Sequence, residues 1–495
     1  MGKVRTPPHD ILCVKTKPRK GSTHRQSTPS SLQNLLESFS GCFSHATFEN
    51  FAALVTGWIL CQGRHCVSRV IQVSGDVASR KHFSTLFRFF ARAKWSTDEV
   101  GRVIFRLLLK WSPKQIEVLV DDTLCRHSGP RMFGAAMHRD PLASSYGRGS
   151  SSGATTFFSC GHSWVVLAMR IPLPWDAERG IAVPFLFRLY RSKKRCPEER
   201  YRKRTELARD LIEMLESWIP SEFQLLIAGD REYASKTVVK KLKVATTFVG
   251  SAAMNAMLHA EPGEYSGCGR PRVRGKRLQS PRDMASDDAT PWTLVVPRIY
   301  GRKVKLLIKE RVCLWPTVAG KRLVRVVVTR DPKGVLEDLV FFSTNPELSA
   351  ACLLEVFARR WLIEVCFRDA KQHLGLQDPQ NGWSKGKRSE RTKKKPGPQA
   401  RGERGALAIL RTVPIGFTAQ AIVILWYLEH GNCAREVRRA RKHSPWYRQK
   451  ARPSFRDMLV AIRRECWATR LFGYPGKRAG REVIGWLLPD AMMAA

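Results

Sequence analysis

The sequence predicts an α/β protein: a sheet with helices, interrupted by a β-rich stretch and flanked by helical regions at both ends. Short apolar, β-branched runs alternate with helical patterns between residues 116 and 242 in the order β-β-β-α-β-α. The first and fourth of those strands run into acids, at Asp121-Asp122 and at Gly229-Asp230, and strand tips are where an α/β sheet displays its site residues. A further helix far downstream, over 349–375, sets aromatic, cationic and acidic side chains along one stripe.

In chain order, residues 1–30 are basic and rich in Pro and Ser, the composition of a disordered N-terminus. From 31 to 112 the pattern is helical, with apolar faces in Leu32–Phe39, Phe51–Leu60, His82–Ala91 and Val100–Trp111. Ser96 through Glu99 supplies a capping box for the last of these. Arg64, Arg69, Arg80, Lys81, Arg88, Arg92 and Lys94 punctuate the region, which reads either as an ordinary bundle or as a DNA-binding domain. At Ile116 the texture changes. Ile116–Asp122, Ser163–Ile171 and Val183–Tyr190 read as strands, Glu198–Leu215 as a helix, Phe223–Ala228 as a buried strand and Ser235–Leu242 as a helix, all within a domain spanning 113–250.

Residues 251–345 form a β-rich insertion, since Trp292–Tyr300, Lys303–Lys309, Leu323–Thr329 and Leu339–Ser343 alternate as strands do and Asp331–Gly334 is a turn. Ahead of them the basic segment Gly269–Arg277 is a surface loop or, alternatively, an extended segment of the AT-hook kind that suits a narrow minor groove. Residues 346–380 hold the striped helix, with no Gly or Pro between Ser349 and Lys371. A basic linker follows at 381–405, either solvated or in contact with phosphates. The region 406–495 is helical in Ala406–Leu428 and Ser454–Thr469, with Trp446 and Tyr447 interleaved among the basic residues of Arg435–Arg452.

The charge balance names a partner class. Lys and Arg number 85 against 43 Asp and Glu, a formal +42 spread over nearly the whole chain. Such a charge destabilises a compact state by self-repulsion unless a polyanion neutralises it. Nucleic acid fits better than a membrane surface, because the longest apolar runs, Phe51–Leu60 and Ile415–Leu428, are too short or too interrupted to span a bilayer. The 13 cysteines are odd in number and show no Cys-x-x-Cys spacing, which points to a reducing compartment, the cytoplasm, and away from a zinc cluster.

Taken singly, Asp121, Asp122 or Asp230 is an ordinary turn or cap acid. Together with Glu364 they can supply the oxygen ligands of hard divalent ions, and phosphoryl transfer commonly uses two such ions. His127, His138 and His162 lie near the strands without metal-ligand spacing and read as loop or core residues.

The striped helix spells Phe357-x2-Arg360-x3-Glu364-x6-Lys371, which resembles the Tyr-x2-Arg-x3-Glu-x6-Lys signature of the IS4-type DDE transposases, with Phe in place of Tyr. With Val118-Leu-Val-Asp-Asp-Thr123 and Ala228-Gly-Asp-Arg-Glu-Tyr233, the chain is similar in particular to the IS701-like bacterial transposases over about residues 30–470. The resemblance implies a ribonuclease H-like mixed sheet, with Asp121, Asp230 and Glu364 as the three acids holding two Mg²⁺ ions, Mn²⁺ substituting. Asp122 is the alternate to Asp121, which is preferred because Asp-x-Ser/Thr commonly closes the first strand of such sheets. Arg360 and Lys371 would hold phosphates, and Trp361 and Phe357 would stack on a displaced base. The implied partners are double-stranded DNA, at the element ends and the target, and a second copy of the chain in a synaptic homodimer. A non-mobile nuclease on the same fold and a catalytically silent DNA-binding descendant are the rival readings.

Overall fold

The computed structural model of the protein describes residues 28–75, 80–127, 132–140, 156–264, 270–379, 402–444 and 446–472. The basic N-terminus up to residue 27, most of the linker 381–405 and the chain beyond 472 lie outside the described residues.

The central strand is β1 (Gln115–Arg126). After it come β2 (Ala136–Arg139), β3 (Phe158–Leu173) and β4 (Asp176–Tyr190), then β5 (Gln224–Gly229) and β6 (Thr246–Ser251). Strand β3 runs antiparallel to both β1 and β4, whereas β5 is parallel to β1 and β6 parallel to β5. Three antiparallel strands followed by two parallel ones, in the spatial order β4-β3-β1-β5-β6, is the ribonuclease H-like arrangement the sequence predicts. The parallel step from β4 to β5 crosses over through the helix Arg204–Glu216, as a parallel connection requires.

Beyond β6 the sheet continues. After β7 (Thr293–Val295), the two short strands β8 (Arg298–Ile299) and β9 (Arg302–Lys303) form a hairpin turning at Tyr300 and Gly301, both at positive φ. Then β10 (Leu306–Leu314), β11 (Leu323–Arg330) and β12 (Leu339–Ser343) follow, and β12 pairs antiparallel with β6. The β-rich stretch is therefore not a separate sheet. Through β12 it extends the central sheet to ten strands. The turn Asp331–Gly334 forms as read, with Gly334 N–H donating to the Asp331 carbonyl at 2.9 Å and Gly334 at φ +68°. In the basic segment 270–277 the downstream end is pinned, Gly275 N–H donating to Ala260 O at 2.9 Å, while Arg272, Arg274, Lys276 and Arg277 stand exposed.

Helices cover both faces of the sheet. Ile116, Val118 and Val120 of β1 enter a core shared with the N-terminal helices, among them His45–Leu60, Phe83–Ala91 and Thr97–Leu109. Leu119 and Cys125 enter a second core with the helices Ala350–Arg359 and Trp361–His373. The N-terminal helices thus share the sheet's core instead of forming one of their own. Trp58 also donates from its indole to the Leu374 carbonyl at 2.9 Å, tying this region to the end of the signature helix.

The helix Gly402–His430 is longer than the sequence suggests and runs through the interior, packed against β4 and six other helices. It is long and apolar enough to cross a membrane, yet 89 % of its most apolar stretch is buried within the protein, as a core helix requires. Its Arg411 donates to the carbonyls of Phe90, Ala93 and Trp95, closing the C-terminal end of the helix Phe83–Ala91.

Candidate active site

Strand alternation separates the two neighbouring acids of β1. Asp121 shares the face of Leu119 and looks toward the signature helix, whereas Asp122 looks to the opposite layer. Asp122 is occupied there: it accepts from Ser163 Oγ at 3.0 Å and from the Tyr233 hydroxyl at 3.2 Å, and Arg204 Nε lies 3.4 Å away.

Asp230 follows the last residue of β5, and the parallel register sets Gly229 beside Val120, so that Asp121, in mid-strand on β1, lies beside the point where Asp230 leaves β5. Gly229 permits the approach, since a Cβ there would stand 2.9 Å from Val120 Cγ1 and 3.0 Å from the Phe248 ring. One oxygen of Asp230 accepts from the backbone N–H groups of Glu232 at 3.0 Å and Tyr233 at 3.2 Å, a turn that fixes the carboxylate.

The third acid arrives on the signature helix, whose two segments, Ala350–Arg359, capped by Ser349 accepting from Cys352 N–H at 3.3 Å, and Trp361–His373, join at Arg360, where the backbone stays in the helical region at φ −51° and ψ −34°. From that join Arg360 reaches both ways, Nη1 to Asp121 Oδ2 at 2.7 Å and Nη2 to Glu364 Oε1 at 3.0 Å. The structure therefore brings together Asp121, Asp230, Glu364 and Arg360.

The electrostatics follow from this crowding. Burial pushes the Asp121 carboxyl well above the usual range, and the charges of Asp230 and Asp122 push the same way against the pull of Arg360. Burial likewise raises Asp230 and Glu364, with Arg360 opposing in both cases. A cluster of carboxylates that is costly to ionise unaided is one that a cation would stabilise. The donor set, all carboxylate oxygen, is the kind that suits a hard divalent ion. Among the described residues, though, no three His, Cys, Asp or Glu side chains close on one metal-sized point, and the guanidinium of Arg360 stands between Asp121 and Glu364.

The remaining residues of the stripe divide. Lys371 lies within electrostatic reach of Cys125 and Arg126 farther along β1 and of Asp140 just past β2, and burial lowers its pKa. Trp361 is 49 % exposed, open for stacking. Phe357 is not open in the same way: it is half-buried against Phe341, their ring centres 4.7 Å apart. Outside the stripe, Trp446 is 84 % exposed among the basic residues of the C-terminal region.

Two residues that matter here escape a reading of motifs. Glu232 lies 3.6 Å from Arg204, and burial and the nearby charges of Asp122 and Asp230 raise its pKa. Glu117, buried in β1, pairs with Arg359 at 3.0 Å and Arg170 at 3.6 Å and so moors the residue before Arg360 to the strand that carries Asp121. Its signal in the sequence is a lone acid inside the apolar run Ile116–Val120.

His127 and His162 are core residues, their rings 4.7 Å apart. Burial lowers His127 from its ordinary 6.5 to about 3, and the neighbouring His162 adds to this. The unfolded chain then binds a proton as pH falls through 6.5 while the folded chain does not until about 3, so stability present above 6.5 is lost on acidification. The cost is about 1.4 kcal/mol per pH unit, or about 2 kcal/mol by pH 5. Thermal unfolding followed from pH 7 to pH 5 is expected to show a falling midpoint, shallower in His127→Phe.

With the fold and site in place, comparison with known proteins defines the class. A family model described as DDE superfamily endonuclease matches residues 38–305, more than half of the chain. The chain belongs to that family. The matched segment contains Asp121 and Asp230 and ends before Glu364, whose place beside them is seen in the geometry. Membership supports a nuclease or transposase type of activity on DNA, in a family that generally uses divalent metals. No curated protein matches the chain.

Proposed function

We propose that the protein is the transposase of a bacterial insertion sequence of the IS4/IS701-like kind, which binds the terminal inverted repeats, hydrolyses the phosphodiester at the element ends and joins the freed 3′-hydroxyls to target DNA. The observation that carries this reading is the meeting of Asp121, Asp230 and Glu364 around Arg360, with the helix supplying both Arg360 and Glu364 at the signature spacing. Asp121, Asp230 and Glu364 would hold the ions. Two Mg²⁺, for which Mn²⁺ substitutes, would activate the attacking water or 3′-hydroxyl and stabilise the leaving oxygen. Arg360 and Lys371 fix the scissile phosphate by charge and hydrogen bonding, and Trp361 offers a face to an unstacked base.

The helical region 31–112 and the basic C-terminal region supply further phosphate contacts on this reading, in keeping with the +42 charge. Two element ends need two sites, hence a homodimer in a synaptic complex, working in the cytoplasm on the nucleoid.

The test is cleavage of a plasmid carrying the gene with its native flanks, in Mg²⁺ and in Ca²⁺, by wild type and Glu364→Gln. Cuts at short inverted repeats that need Mg²⁺ and disappear in the variant, with end binding retained, are expected. Loss of binding together with cleavage in a folded variant would remove Glu364 from the metal-holding set.

A further inference from the structure

The acids of the site already have a cation, and it belongs to the protein. Arg360 Nη1 and Nη2 bond Asp121 and Glu364 at 2.7 and 3.0 Å, and the guanidinium takes the space between them. This agrees with the lack, among the described residues, of any three ligands closing on a metal-sized point. A divalent ion and a guanidinium cannot share that space, because they are like charges competing for the same oxygens. The hold on Arg360 is partial: its Nε is buried without a hydrogen-bond partner, so the two carboxylates, with the face of the Phe357 ring 5.7 Å from the guanidinium, restrain its tip. Its backbone joins the helical segments Ala350–Arg359 and Trp361–His373, next to Trp361, which is 49 % exposed.

We propose that Arg360 is a resident counter-ion that blocks metal loading until DNA arrives, when a backbone phosphate draws the guanidinium off Asp121 and Glu364. The inference rests on the reading of Asp121, Asp230 and Glu364 as the metal-holding acids. A phosphodiester suits the exchange, since its two oxygens accept the same two N–H groups that the carboxylates now accept, and a phosphate brings the charge that the guanidinium would otherwise lose. DNA binding and metal binding are then positively coupled, and linkage requires that each strengthen the other by the same factor. Without DNA the acids are neutralised and the site stays unloaded, which keeps a strongly cationic nuclease from assembling its ions before it holds a substrate.

The experiment is a titration of Mn²⁺ into metal-free, full-length protein, with free Mn²⁺ read by electron paramagnetic resonance, in the absence and presence of a blunt DNA duplex. Wild type is expected to bind Mn²⁺ weakly alone and at least about tenfold more tightly with duplex, within the usual range of such couplings. Arg360→Gln should bind tightly in both states, the duplex adding less than about twofold. Without metal it should melt below wild type, because three crowded carboxylates lose their neutraliser, and Mn²⁺ should restore the midpoint. Arg360→Lys, a point charge in place of a fork, should fall between the two. The proposal is overturned if Arg360→Gln and Arg360→Lys, both shown to be folded, bind Mn²⁺ no better than wild type without DNA. If Glu364→Gln still lowers Mn²⁺ uptake in that case, the acids hold metal and only the blocking role is wrong. If Glu364→Gln leaves uptake unchanged with and without duplex, the metal-holding reading fails and takes this inference with it.

Discussion

Asp121→Asn lowers DNA cleavage by about 100-fold or more while leaving DNA binding intact, and the same change at the adjacent Asp122 does not. The first expectation follows from position: Asp121 shares Arg360 with Glu364 and lies beside Asp230, so on the proposed reading its loss removes a charge of the reacting centre, on the scale seen when a preorganised electrostatic group is deleted. Asp122 points to the other layer and is held by Ser163, Tyr233 and Arg204. An asparagine there keeps one acceptor and loses a charged one, a stability cost of about 1–3 kcal/mol. Parallel cleavage assays and thermal melts on the two variants separate the cases. Equal loss of cleavage in both, with equal melting temperatures, would take away the preference for Asp121.

Glu117→Ala is expected to destabilise the fold by about 3–5 kcal/mol, because it strands two buried or half-buried arginines without their common partner. Glu117 is 7 % exposed, and Arg170 is also bonded to the carbonyls of Ala177, Glu178 and Arg179, so it cannot readily withdraw to solvent. Arg359 precedes Arg360, and slackening it loosens the join from which Arg360 reaches Asp121. Denaturant unfolding reads the first effect. Glu117→Gln, which keeps a hydrogen-bond acceptor, should recover part of it; a Glu117→Ala variant as stable as wild type would show that the pair contributes nothing.

What could be read in the sequence was what depends on neighbours along the chain. The apolar runs ending in Asp121-Asp122 and Asp230 announced strands β1 and β5 and their acids, and the spacing of Arg360, Glu364 and Lys371 announced the helix. The preference between Asp121 and Asp122 turns on which face of β1 the signature helix covers, a tertiary fact, so the sequence kept both in play. The join at Arg360 keeps helical dihedrals and, as the sequence suggests, involves no Gly or Pro. Phe357 looked free for stacking because Phe341, its packing partner, lies on a strand that only the fold brings near. The four residues of β2 offered too few for a period to show, β6 reads Thr-Thr-Phe-Val-Gly-Ser with only Phe248 and Val249 large and apolar, and with β6 unseen its pairing with β12 could not be inferred.

That pairing of β6 with β12 sets a clock on the nascent chain. The third acid lies 134 positions after the second, and the intervening strands close the sheet only once Ser343 has left the ribosome. At about 5–20 residues per second, Glu364 follows Asp230 by roughly 7–27 s. Over that interval the growing polypeptide is basic and already carries Asp121 and Asp230 but not Glu364, so if the three act as proposed it meets DNA before it holds the full set.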